Sequence, residues 1–142
     1  MTTSPSLPSN LSKLLQQAAE EGQFEMIVLS DIDGLPFANS GAIDKKNVSC
    51  SEEILAALSS LISVFKQRVE KEIANAETDE ISVVMNDKSR LVCRYFHVDT
   101  AEFILSFLVQ PNQSYRRLTN STISLVKKFY AAGKYKPPMY SA

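Results

Sequence analysis

Apolar residues recur along this chain with two periods, and the switches between them mark out the elements. Leu11, Leu14, Leu15 and Ala18 lie three and four residues apart, the spacing of one helix face. Asn10 before them is a good N-cap and Gly22 after them a good C′ residue, so a helix is predicted over 11–21. Two short apolar runs follow, 24–30 and 35–40, with Asp33-Gly34 between them. Asp-Gly between strand-like runs predicts a hairpin closed by a type I′ turn, in which both central residues take positive φ. Asp33 and Gly34 are therefore read as a structural turn.

After a polar loop over 41–50 the helical period returns. Ser49 with Glu52 three residues later reads as a capping box for a long helix reaching about Ala76. Ile54, Leu58, Leu61, Ile62, Phe65, Val69 and Ile73 fall on one face of it, and that stripe is expected to pack on the core. Lys66–Glu70 and Arg68–Glu72 are i,i+4 pairs outside the stripe, worth about 0.3 kcal/mol each. On the opposite face stand Ala56, Ser59, Ser60, Ser63 and Gln67, small or polar side chains that would let another element approach closely.

Three strand-like segments come next, at 80–86, 90–97 and 102–110, separated by breaks of three and four residues. Connections that short allow only antiparallel pairing, because a parallel crossover needs a dozen residues or more. Pro111 ends the last strand. A final helix is predicted from Asn112 or Ser114 to Ala132, with Tyr115, Leu118, Thr122, Leu125, Val126 and Phe129 on one face and Gly133 as its stop. The order is α-β-β-α-β-β-β-α. Segments 24–29 and 103–109 are apolar on both faces, as central strands covered from both sides would be. An α/β sandwich (α+β) with a five-stranded antiparallel sheet and helices on both faces fits this pattern. The Ser/Thr/Pro-rich residues 1–9 read as a disordered segment, 10–132 as one domain, and 133–142 as a loose tail.

Composition narrows the function. The chain has 142 residues, 44% apolar content and a net charge of −1, which suits one soluble domain and offers no broad cationic surface for nucleic acid. No apolar run is long enough to span a membrane, and the first residues lack the basic start and apolar stretch of a secretory signal. A cytoplasmic protein is expected. Cys50 and Cys93 lie far apart and read as free thiols. With His97 they are too few soft ligands for zinc, and the four scattered glycines form no phosphate loop, so no metal or cofactor is expected.

Two further constellations bear on chemistry. An apolar strand ending in Asp31-Ile32-Asp33-Gly34 could open a haloacid-dehalogenase-like phosphatase, with Asp31 as nucleophile. Leu35 replaces the Thr or Val usual there, no second acidic pair follows an apolar strand, and hairpins replace the parallel crossovers such a fold needs. His97 has Asp99 nearby but no nucleophile at a suitable spacing, so it reads as an ordinary turn or sheet residue. No catalytic residue and no small-molecule substrate are expected. Arg116-Arg117 and Lys127-Lys128 make a modest basic patch on the last helix.

The SDIDGLPFANS hairpin, taken with the element order, resembles the Roadblock/LC7 family over about residues 9–131. That resemblance implies a profilin-like fold with sheet order 2-1-5-4-3. It implies a homodimer that pairs the third strand with its twin, through Ile81, Val83 and Met85, and sets the two long helices side by side. It also implies a small-GTPase partner and no covalent chemistry of its own. Ala56, Ser59, Ser60, Ser63, Gln67 and Glu70 are then the expected outward, partner-binding face. No arginine lies on that stripe, so any activation of GTP hydrolysis would work by positioning the GTPase's own groups. A light-chain-like structural subunit of a motor or cytoskeletal assembly is the alternative.

Overall fold

In the computed structural model, residues 7–40 and 50–131 are described. Eight elements follow in the expected order: α1 (Leu7–Gly22), β1 (Ile27–Asp31), β2 (Pro36–Asn39), α2 (Glu52–Glu72), β3 (Glu80–Val84), β4 (Arg90–Val98), β5 (Ala101–Val109) and α3 (Arg116–Ala131). The strands form one antiparallel sheet of order β2-β1-β5-β4-β3. β1 and β5 are central and buried on both faces, which explains their unbroken apolar character. β2 and β3 are the edges.

α1 and α3 pack side by side on one face of the sheet. Beneath them Leu11, Leu15, Phe24, Ile27, Leu29, Phe96, Phe103 and Phe107 form the larger core. Phe103 is its hub, with ring centroids 5.3 Å from Phe37, 5.5 Å from Phe96 and 5.1 Å from Tyr130. Among the described elements α2 is the one helix on the other face, over β1, β5 and β2. The smaller core there combines Met26, Val28, Leu55, Ala56, Leu91, Cys93, Tyr95 and Ile104.

Several boundaries differ from expectation. α1 begins at Leu7, so Asn10 lies inside the helix and is not its N-cap. Its left-handed terminal residue is Gln23 (φ 55°) and not Gly22. Gly22 serves packing instead, since a Cβ there would stand 2.5 Å from the Phe24 ring. α2 is capped by Ser51, whose hydroxyl accepts from the Ile54 N–H at 3.2 Å. The proposed cap Ser49 lies outside the described residues, as do 1–6 and 132–142. α3 turns most of the predicted face inward, with Tyr115, Thr122 and Val126 buried and Leu118 and Phe129 packed on the core, but it also buries Thr119, Ile123 and Tyr130 and leaves Leu125 exposed.

The β1–β2 hairpin exists, but its turn is not type I′. The Gly34 N–H donates to the Asp31 carbonyl at 3.1 Å, which centres the turn on Ile32 and Asp33. Only Gly34 takes positive φ, at 89°. This is a three-residue loop with its glycine in the left-handed position after the turn. Asp31 holds it together: Oδ1 accepts from the N–H groups of Asp33 and Leu35, both at 2.9 Å. Gly34 also lies under α2, where a Cβ would be 3.0 Å from Ser60 Cβ and 3.1 Å from the Ala56 carbonyl oxygen.

Candidate functional site

The largest departure from expectation is the orientation of α2. The face toward the sheet carries Leu55, Ala56, Ser59, Ser63 and Lys66. Most of the predicted apolar stripe points out: Ile54, Leu58, Leu61, Phe65 and Ile73 are exposed, Leu61 and Phe65 to 68% and 62%, with Val64 exposed beside them, while Ile62 and Val69 are half-buried and Ile62 packs on the smaller core. Ala56, Ser59 and Ser63 therefore cannot form the outward face assigned to them. Ser60 is half-buried and donates to the Ile32 carbonyl at 3.3 Å. Gln67 is exposed, and Glu70 is half-buried in an ion pair with Lys66. Periodicity locates an apolar face, but it does not say whether that face meets the chain's own sheet or another molecule.

Small side chains let α2 sit close on the sheet, and polar ones find partners there. The Ser59 hydroxyl bonds the Leu55 carbonyl at 2.7 Å and meets the Ser106 hydroxyl from β5. Ser63 bonds the Ser59 carbonyl at 3.0 Å. The Cys93 thiol points to Ser59 at 3.6 Å, and burial raises its pKa, so it is a poor nucleophile. Burial likewise pushes the Tyr95 hydroxyl well above its ordinary value. At the end of this seam Lys66 reaches Glu102 at 2.8 Å and Glu70 at 3.0 Å. Burial disfavours its charge, but the two carboxylates outweigh that and raise its pKa. Lys66 is thus a buried ion and not the solvated surface group the i,i+4 pattern suggested. His97, also beside Glu102 at 3.7 Å, is half exposed at the mouth of an open groove with Asp79 and Arg94.

One strand beyond those that α2 covers, β3 is an edge of the sheet among the described residues. Val83 and Met85 are exposed and Ile81 is half-buried, and all three share the α2 face of the strand. Asp79 O and Met85 N bond β4, so odd-numbered residues of β3 face β4 and even-numbered ones face outward. The free ladder groups at the edge therefore belong to Glu80, Ser82 and Val84. An unprotected edge beside an apolar patch is a template for pairing.

Candidate chemistry is sparse. Asp31 is buried with Oδ1 committed to two turn amides, and the antiparallel sheet lacks the crossovers a phosphatase of that class needs. Among the described residues, no group of His, Cys, Asp or Glu is placed to hold a metal, and no helix is long and apolar enough to cross a membrane. Cys50 and Cys93 are free thiols.

No family model matches the chain, and no curated protein matches it in sequence. Solved structures do match its shape. Myxococcus xanthus MglB superposes with a TM-score of 0.75 at 11% identity, covering 98% of this chain and 100% of that one. A structure described as MglB with tetrameric arrangement gives 0.73 at 13% identity, covering 95% and 97%. A Roadblock/LC7 domain from Streptomyces avermitilis gives 0.66 at 17% identity, covering 87% and 98%. With the sheet order, the element order and these superpositions in agreement, the chain has the Roadblock/LC7 fold.

Proposed function

We propose that this protein is a homodimeric, non-catalytic regulator or scaffold that binds a Ras-like small GTPase. The observation that carries this reading is the exposed apolar stripe of α2 on the same side of the sheet as the apolar residues of the β3 edge, on a Roadblock/LC7 fold. Antiparallel pairing of β3 with its twin, centred on Ser82, satisfies the free ladder groups of Glu80, Ser82 and Val84. It also brings Ile81, Val83, Met85 and the α2 stripes of both copies onto one face, where each shields the other. Sedimentation velocity at tens of micromolar should show a dimer, and Ser82→Pro should yield monomer or aggregate, because it deletes a donor facing the twin. A monomeric parent would overturn the dimer.

The GTPase is assigned to the joint α2 face, through exposed residues off the stripe that the twin covers, such as Val64, Gln67 and Arg68. That replaces the buried Ala56, Ser59 and Ser63. A purified Ras-like GTPase should bind better with GTP than with GDP, because its switch segments are ordered by the γ-phosphate. Binding in neither state would leave the structural-subunit reading ahead. Reversal of α2 also puts an arginine on the outer face, since Arg68 follows Leu61 and Phe65 at helical spacing with its side chain 70% exposed. If activation works by positioning the GTPase's own groups, Arg68→Ala leaves hydrolysis unchanged. A loss of about a thousandfold or more would make Arg68 a finger.

A further inference from the structure

Charge is segregated along this chain. From Gln110 to Ala142 there are six lysines and arginines and no aspartate or glutamate, against a net −1 for the whole. α3 displays four of those cations, Arg116, Arg117, Lys127 and Lys128, all exposed. Arg116 is partnered: it pairs with Glu80 at 3.3 Å and lies over the Tyr115 ring. Among the described residues no carboxylate lies within ion-pairing distance of Arg117, Lys127 or Lys128. Arg117 stands in the first turn of α3, where the helix dipole disfavours a cation. Along the outer ridge Arg117, Ser121, Ser124, Leu125 and Lys128 recur at helical spacing, with the Leu125 side chain exposed among the charges.

From this arrangement we infer that the α3 face is a peripheral docking surface for an anionic lipid bilayer. The ridge is small-sided and cationic, with one exposed apolar side chain near its middle. A flat anionic surface accepts such a ridge without a matching cleft, whereas a folded acidic partner would need one. The α3 cations lie on the opposite side of the sheet from α2, so lipid and protein partners need not compete. The surface strengthens in a dimer, and this part rests on the pairing proposed above. Antiparallel pairing of β3 with its copy keeps like faces together, and α3 packs over β4, next to that edge. The two cationic ridges would then flank the two-fold axis in one plane.

The test is co-sedimentation of the full chain with large vesicles of phosphatidylcholine, with and without phosphatidylglycerol, at low and high salt. Binding is expected only with phosphatidylglycerol, and it should fall as salt rises. Arg117→Gln with Lys128→Gln should keep the parent melting temperature, since both side chains are exposed. It should weaken binding roughly fivefold per cation, about thirtyfold for the pair in each protomer. No binding to phosphatidylglycerol vesicles at low salt overturns the inference, as does undiminished binding by the double variant. Equally tight binding to duplex DNA also overturns it, by making the ridge a generic polyanion site. Sedimentation velocity on the same sample separates the two proposals. A dimer that ignores vesicles removes only the lipid surface, and a monomer that binds them with the thirtyfold response removes only the dimer.

Discussion

The two faces of the sheet are held by different means. Under α1 and α3 the core is broad and aromatic, with Phe24, Phe96, Phe103 and Phe107 buried among leucines. Under α2 the contact is narrow and half polar, a line of Ala56, Ser59, Ser63 and Lys66 against Ser106, Cys93 and Glu102. The first face is stabilised by the area it removes from water. The second gains less from area and depends on close approach and satisfied hydrogen bonds. A helix so attached has spent little of its apolar surface on its own domain, and the remainder is available to a partner.

The sharpest way to break this contrast is to truncate the aromatic hub. Phe103→Ala should cost about 4 kcal/mol, the range for a fully buried phenylalanine, read as a fall in the urea midpoint. A loss near 1 kcal/mol would mean that the α1/α3 face is not the main store of stability. Gly34→Val comes next, at about 3 kcal/mol, because it adds unfavourable positive φ to a clash with α2. Its Cβ would meet Ser60 and the Ala56 carbonyl, so the damage should reach α2 and not stay in the hairpin.

On the α2 face the expectation is different. Ser59→Leu makes the inward stripe more apolar, yet it should destabilise by about 2 kcal/mol. Ser59 is fully buried against Ser106, and a larger side chain has no room. A stabilising effect would show that the seam is loosely packed. Acid should act at the far end of the same seam. Burial raises the Glu70 pKa, but the Thr78 amide at 2.6 Å and the Lys66 ammonium outweigh it and hold that pKa below the ordinary carboxylate value. A carboxyl with a lower pKa in the folded state stabilises fully above the unfolded value. That stabilisation is lost as pH falls through the folded one. Glu70→Gln should flatten the acid side of the stability profile below pH about 4.5 by less than about 1 kcal/mol, since the pair is partly solvated.

The fold was legible because its signals were local. Short breaks after Asn86 and His97 forced hairpins, and the doubly apolar runs picked out β1 and β5 as central. The type of turn at Asp33-Gly34 was not legible, because Asp31 captures two amides and moves the turn back by one residue. The face of α2 was misjudged for a deeper reason. A hydrophobic stripe shows that something apolar covers it, and a sequence read as one chain assigns that role to its own core. Ser59 and Ser63 gave the counter-signal, since mid-helix serines that bond their own i−4 carbonyls are tolerated in a close, dry contact. Lys66 concealed its role because Glu102 lies 36 residues away and meets it only in the fold.

The smallest stability effect is expected where the hydrophobic residues are largest on α2. Leu61→Ser and Phe65→Ser remove side chains that are 68% and 62% exposed in the single chain. In a monomer neither has more than a minor share in the core, so each should change the unfolding free energy by no more than about 0.5 kcal/mol. Measured by denaturant titration at low protein concentration, where association contributes nothing, both variants should overlay the parent. At high concentration the parent should gain stability with protein added, because a partner that binds only the folded chain shifts the equilibrium by mass action. The double variant should lose that gain. If the substitutions instead cost 2 kcal/mol or more at every concentration, the stripe packs within its own domain, α2 faces the other way, and the contrast between the two faces of the sheet disappears.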